Sequence, residues 1–196
     1  MSSETTPADA LDIALIVGRA IESVEGRYFI GGSLASSLQG EPRATNDIDI
    51  VLDLPLGRCR ALLDALGPDF EGDVDQLRAA IADARTCHVF YLPLVTKIDL
   101  FGLGTSPFDE SEFSRRREIV IRSSGEKLWF KSPEDTVLRK LVWFREGGAV
   151  STKQWRDIVQ VLRVSGADMD GAYLDTWSER LRLRELLERA RSEAAS

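Results

Sequence analysis

The sequence predicts an α+β protein, with a mixed β-sheet core flanked by helices and followed by a C-terminal helical region. Three observations predict it. Short apolar runs, several of them alternating, crowd the first two-thirds of the 196 residues. Longer segments with helical spacing fill the last third. The change falls at Ser132-Pro133-Glu134-Asp135, where a serine cap, a first-turn proline and two acids make a strong helix start. The expected domains are therefore 1–131 and 132–196.

In chain order, Ala8 to Val24 carries Leu11, Ala14, Leu15, Val17, Ile21 and Val24 at amphipathic helical spacing. Arg27 to Ile30 reads as a strand ending at a glycine pair. Ser33 to Leu38 reads as a short helix with Ser33 as its N-cap. Gln39 to Asn46 holds Gly40 and Pro42 and reads as a loop. Asp47 to Leu52 alternates, with Ile48, Ile50 and Leu52 on one face and Asp47, Asp49 and Val51 on the other. Leu56 to Leu66 and Val74 to Ala84 are helical, parted by a turn at Gly67 to Asp69. Cys87 to Leu92 and Leu94 to Leu103, broken by Pro93, read as a hairpin. Glu118 to Arg122 and Lys127 to Phe130 form a second strand pair. Helices are then expected from Ser132 to Arg145, from Thr152 to Val164, and as a last pair from Met169 to about Arg191.

Composition narrows the class. Apolar residues make up 43% and charged residues 29%, the balance of a soluble globular protein rather than a disordered or fibrous one. No apolar run approaches the length of a membrane-spanning helix, so no membrane partner is expected. The first residues, MSSETTPADALD, lack the basic and apolar regions of a signal peptide. Cys59 and Cys87 are too few for a disulfide framework and have no metal-ligand spacing. Both point to reduced thiols and a cytoplasmic location. The net charge of −7 argues against broad binding to a nucleic-acid backbone. That charge is uneven: residues 1–102 hold 16 acids and 8 bases, residues 103–196 hold 16 acids and 17 bases. Arg115-Arg116-Arg117 and the arginines from Arg180 to Arg191 are either local basic patches or solvated helix faces.

The chemistry concentrates between Phe29 and Asp53. Gly31-Gly32-Ser33 is a tight turn feeding a helix, a geometry suited to holding phosphate. Asp47 and Asp49, two apart on a strand, project to one side about 7 Å apart at the backbone. Such a pair can share one divalent cation, or bridge two in the manner of two-metal phosphoryl chemistry. Asp99, between Ile98 and Leu100, is a third acid in an apolar strand, where an unpaired carboxylate is costly. The bland reading pairs it with Lys97 or an arginine.

Gly31-Gly32-Ser33 followed by Asp47-x-Asp49 resembles the signature of the nucleotidyltransferase superfamily related to DNA polymerase β. Within it the chain looks like the small bacterial AbiEii-like toxins and minimal nucleotidyltransferases. In these a basic-Thr/Ser-x-Asp-x-Asp stretch leads into the metal strand, here Arg43-Ala44-Thr45-Asn46-Asp47-Ile48-Asp49. The third acid matches Asp99, and the helical half offers Lys140 and, as a weaker candidate, Asp157. The resemblance spans most of residues 27–163.

That resemblance implies a nucleotidyltransferase core and the transfer of a nucleoside monophosphate from a nucleoside triphosphate such as ATP to an acceptor hydroxyl. Gly31, Gly32, Ser33, Arg43, Thr45 and Lys140 would bind the nucleotide. Asp47, Asp49 and Asp99 would be both catalytic and metal-binding, with two Mg2+ ions as cofactors and Mn2+ as a substitute. The acceptor would be the 3′ end of tRNA or another RNA, a protein side chain, or a small molecule. The toxin-like family adds a cognate antitoxin as a partner. The competing class is a catalytically weak nucleotide-binding module that acts through a partner protein.

Supporting residues also have bland readings. Lys140 is either a phosphate ligand or a solvent-facing lysine, and Asp157 stands four residues after Lys153, where it would form a surface pair. Arg43 binds phosphate, orients the strand entry or pairs with an acid. His88, the single histidine, reads as a sheet residue. Trp143, Phe144 and Trp155 fall at helix-packing spacing and read as core.

Overall fold

Alternating burial builds the sheet. The computed structural model describes residues 9–42 and 45–196. Its strands are β1 (Arg27–Ile30), β2 (Ile48–Asp53), β3 (Phe70–Gly72), β4 (Thr86–Tyr91), β5 (Thr96–Gly102), β6 (Arg117–Val120) and β7 (Lys127–Phe130). The helices are α1 (Ala10–Ser23), α2 (Gly32–Gln39), α3 (Cys59–Leu66), α4 (Val74–Ala82), α5 (Pro107–Ser114), α6 (Pro133–Glu146), α7 (Thr152–Ser165), α8 (Gly171–Arg180) and α9 (Arg184–Ala194). The expected α+β architecture, a mixed sheet flanked by helices with helices at the C-terminal end, is the one observed.

The chain forms two compact units. One holds the residues up to Gly32 together with Thr45–Phe130; the other holds Ser33–Ala44 and Lys131–Ser196. The chain thus passes from the first unit to the second within α2, between Gly32 and Ser33.

The first unit contains all seven strands, in the order β3-β4-β5-β2-β1-β7-β6. The pairs β2–β5 and β1–β7 are parallel and the others antiparallel. In β2, Ile48, Ile50 and Leu52 are buried while Asp49, Val51 and Asp53 are less so. The same alternation buries Ile98 and Leu100 in β5 and Cys87 and Val89 in β4. These residues share one sheet face, against which α1 and α4 pack, with α3 against α1 and α4. The buried side chains of that layer include Ile13, Val17, Ile21, Leu62 and Leu77. On the opposite face, Phe113 of α5 packs on Phe29 of β1, ring centroids 5.7 Å apart. Arg116 lies over both Phe113 and Trp129, so it is a packing arginine rather than part of a solvated basic patch.

Two elements have no counterpart in the expected sequence of elements. The short strand β3 stands where a turn between helices is predicted, and α5 lies in a stretch with no helical pattern. A capping box built by Ser106 and Asp109, with Pro107 in the first turn, starts α5. The turn into α2 also differs. The helix begins at Gly32, whose φ of +56° is left-handed, so Ser33 lies inside the first turn instead of capping it.

The second unit is helical. Ser132 caps α6 as expected, accepting the Asp135 N–H at 3.1 Å. Its hydroxyl donates to Asp135 Oδ2 at 2.6 Å, and Tyr173 donates to Asp135 Oδ1 at 2.6 Å. Glu134 accepts the Asp170 N–H at the start of α8. The Ser-Pro-Glu-Asp motif is therefore a buried polar node joining α6 to α8, and every carboxylate in it finds donors. The segment from Ser33 to Gly40 belongs to the same unit. Gln39 donates to the Lys131 carbonyl at 2.6 Å, and Ser165 donates to the Gln39 carbonyl at 2.7 Å. Phe144 and Trp155 form a tilted ring pair at 5.0 Å and pack as expected, whereas Trp143, also read as core, is 38% exposed.

Candidate active site

Strand register brings two of the acids together. On the parallel pair β2–β5, Asp49 is the direct partner of Asp99. Both lie between buried apolar neighbours, so both side chains leave the sheet on the face opposite α1 and α4. Asp47 is an exposed residue one position before β2. Its N–H donates to Thr45 Oγ1 at 3.3 Å, which places the Thr45 hydroxyl on the backbone that leads into the acid strand.

Gly31 and Gly32 meet Asp49 from β1. The Gly31 N–H donates to the Asp49 carbonyl at 2.9 Å, extending the β1–β2 ladder. Gly32 approaches the side chain itself: a Cβ at that position would fall inside the Asp49 carboxylate. Two demands meet at one residue, a left-handed φ and no side chain, and only glycine satisfies both. Arg43 lies outside the described residues.

Asp99 is held on both oxygens. His88, its register partner on β4, sits on the side away from Asp49, and its Nδ1 is 2.6 Å from Asp99 Oδ1. Lys97 Nζ donates to Asp99 Oδ2 at 2.8 Å. The bland pairing expected for Asp99 is therefore formed, together with a histidine contact that sequence reading did not anticipate. The bond to Asp99 is the main cause that raises the Lys97 pKa, and the charges of Asp99, Asp47 and Asp49 add to it. A cation is thus favoured in the field of all three acids. Among the described residues, no three His, Cys, Asp or Glu side chains converge tightly enough to hold a metal.

In the helical unit, Lys140 is neither exposed nor isolated. Its Nζ donates to Asp157 Oδ2 at 2.9 Å, with only 6% and 10% of the two side chains exposed. Ser36 of α2 donates to the same oxygen at 3.4 Å. The solvent-facing reading of Lys140 and the Lys153 pairing of Asp157 give way to one buried ion pair.

The donor chemistry fits a hard divalent cation: carboxylate oxygens on adjacent strands, with a positive charge already favoured beside them. The glycine turn, Asp49 and Asp99 thus stand together on three neighbouring strands, β1, β2 and β5.

No protein-family model matches the chain, and no curated protein matches it. Solved structures do. The chain is similar to the antibiotic-resistance factor ANT(2'')-Ia in its solution structure, at 16% identity and a TM-score of 0.52, covering 92% of this chain and 96% of that one. It is similar to ANT(2'')-Ia in complex with adenylyl-2''-tobramycin, at 13% identity and a TM-score of 0.52, over 89% and 99% of the two chains. It is also similar to an antigenic nucleotidyltransferase-like protein from Paracoccidioides brasiliensis, at 19% identity and a TM-score of 0.54, over 92% and 91%. The chain has the nucleotidyltransferase fold.

Proposed function

We propose that this protein is a metal-dependent nucleotidyltransferase that moves a nucleoside monophosphate from a nucleoside triphosphate to an acceptor hydroxyl. The observation that carries the reading is the direct pairing of Asp49 with Asp99, with Gly32 pressed against the Asp49 carboxylate. A glycine turn and an acid pair meet there on three neighbouring strands.

Asp47, Asp49 and Asp99 would hold Mg2+, which when bound supplies charge neutralisation to the triphosphate. The backbone amides after Gly32 and the Ser33 hydroxyl would hold the β- and γ-phosphates at the start of α2, where the helix dipole favours negative charge. The acceptor oxygen attacks the α-phosphorus in line. The bond to the bridging oxygen breaks, pyrophosphate leaves, and the hydroxyl proton passes to Asp99. Thr45 would serve by setting the backbone at Asp47, and Arg43 by meeting phosphate. Lys140 enters the proposal together with Asp157, as a buried pair in the helical unit.

RNA, protein and small-molecule hydroxyls are all acceptors of the right chemistry. The toxin-like motif pattern favours the first two, and ANT(2'')-Ia, whose structure holds adenylyl-2''-tobramycin, illustrates the third on this fold. Incubation with each labelled triphosphate, Mg2+, tRNA, cell protein and small metabolites tests the reaction. Label in at least one fraction, lost in Asp49→Ala, is expected. No transfer to any of them would refute the enzyme. A toxin role predicts growth arrest on expression, relieved by a cognate antitoxin.

The second reading, a nucleotide-binding module acting through a partner protein, draws on the occupied oxygens of Asp99. Thermal stabilisation by nucleotide without a Mg2+ requirement would favour it.

A further inference from the structure

His88 and Lys97 have no task in the reaction as drawn, yet together they engage both oxygens of Asp99. A carboxylate only accepts, so the His88 Nδ1 carries the proton of the 2.6 Å bond. The order of strands makes the pairing directional. Across β2, β5 and β4 the same row reads Asp49, Asp99, His88, so His88 stands on the side of Asp99 away from Asp49. Asp99 itself is 16% exposed, and water alone does not hold its orientation.

We propose that His88 and Lys97 are positioning residues for Asp99: His88 anchors Oδ1 toward β4, leaving Oδ2 for a divalent cation, and the Lys97 ammonium holds Oδ2 until that cation takes it. The inference rests on the metal-dependent reading above.

The two roles have opposite signs, which makes them separable. Fixing a metal-binding carboxylate from behind raises cation affinity, and losing such a support typically lowers it about 10–100-fold. Lys97 competes. Its ammonium is drawn to the charges of Asp47, Asp49 and Asp99, the charges that would attract a divalent ion. A cation coordinating Oδ2 would compete with the ammonium for that oxygen. What changes on cation binding is which positive group faces Oδ2.

Binding of Mn2+ to the full chain, read as the loss of free-ion signal in electron paramagnetic resonance with and without a non-hydrolysable triphosphate, tests this without reference to turnover. His88→Phe keeps a flat ring and removes the donor; about tenfold weaker Mn2+ binding is expected. His88→Asn restores a donor and should recover most of the loss. Lys97→Met keeps the stem and removes the charge, and Mn2+ should bind several-fold more tightly. Circular dichroism confirms that each variant is folded, and His88→Ala, which also removes the donor, replaces His88→Phe if that variant is not. Unchanged Mn2+ affinity in His88→Phe, or in His88→Ala where it stands in, or weaker binding in Lys97→Met overturns the inference. The wild type binding Mn2+ and losing it in Asp49→Ala, with both positioning variants unchanged, would reject this inference alone. Absence of Mn2+ binding in the wild type would reject the metal-dependent reading and this inference together.

Discussion

Gly32 and Asp49 occupy each other's limits: the glycine has no side chain because the Asp49 carboxylate stands where a Cβ would be. The first residue of α2 is therefore shaped by a carboxylate on the neighbouring strand, and the glycine turn and the acid strand are built as one.

Gly32→Ala should destabilise the protein on two counts. A left-handed φ costs a non-glycine residue about 1–2 kcal/mol, and the displaced carboxylate adds to it. Differential scanning calorimetry should show a lower Tm by roughly 2–4 °C per kcal/mol lost. Nucleotide and Mn2+ binding should fall further than the shift in stability explains, because Asp49 must move.

The buried pair of Lys140 and Asp157 predicts a non-additive mutant cycle. Lys140→Met or Asp157→Leu alone breaks this ion pair and leaves the other charge buried, at a cost of about 3–5 kcal/mol. The double variant should lose much less than the sum, as measured by urea denaturation. A variant of Lys140 that keeps full stability while raising the KM for the triphosphate would assign the lysine to nucleotide instead.

The polar node at the start of α6 is testable through Tyr173. Removing its hydroxyl takes a 2.6 Å donor from buried Asp135. Tyr173→Phe should cost about 1–3 kcal/mol in the same denaturation assay. Ser132→Ala, which removes both the cap and a second donor to Asp135, should cost at least as much.

Alkaline pH should reveal Cys87. Burial, then the charges of Cys59 and Asp99, pushes its thiol up to about 11 from an ordinary 9.0. Over that interval the folded chain keeps a proton that the unfolded chain loses. The stabilisation is complete below pH 9 and declines as pH rises toward 11, at up to about 1.4 kcal/mol per pH unit. In reducing buffer, Cys87→Ala should show a shallower decline over that range than the wild type.

Much of the fold was legible because it is written in periodicity. Ile48, Ile50 and Leu52 alternate with Asp49 and Val51, the apolar runs on either side of Pro93 mark a hairpin, and these strands form as expected. β3 escaped because three residues, Phe70-Glu71-Gly72, are too few to show a period. α5 escaped because Phe108 and Phe113 are its only buried hydrophobic residues; the readable signal was its cap, Ser106-Pro107 followed by Asp109. The three acids and the pairing of Asp99 with Lys97 could be singled out, but the contact with His88 could not. Whether His88 meets Asp99 depends on the hairpin register, fixed by Tyr91 opposite Thr96 and by the left-handed Val95 in the connection. Pro93 announced a break without giving its length. The burial of Lys140 likewise depends on which helix lies opposite α6, and that is α7.

The passage of the chain through α2 carries a consequence for dissection. A fragment ending near residue 131 would carry every strand, yet it would strip the helix after the glycine turn of Asp157, Ser165 and the helices that bear them. The polar side chains of Ser36 and Gln39, built for an interior, would face solvent instead. Such a fragment is not a self-sufficient core but a sheet with a frayed α2. Anyone seeking a smaller working version should graft or shorten the loops within the first unit and leave the C-terminal helices attached.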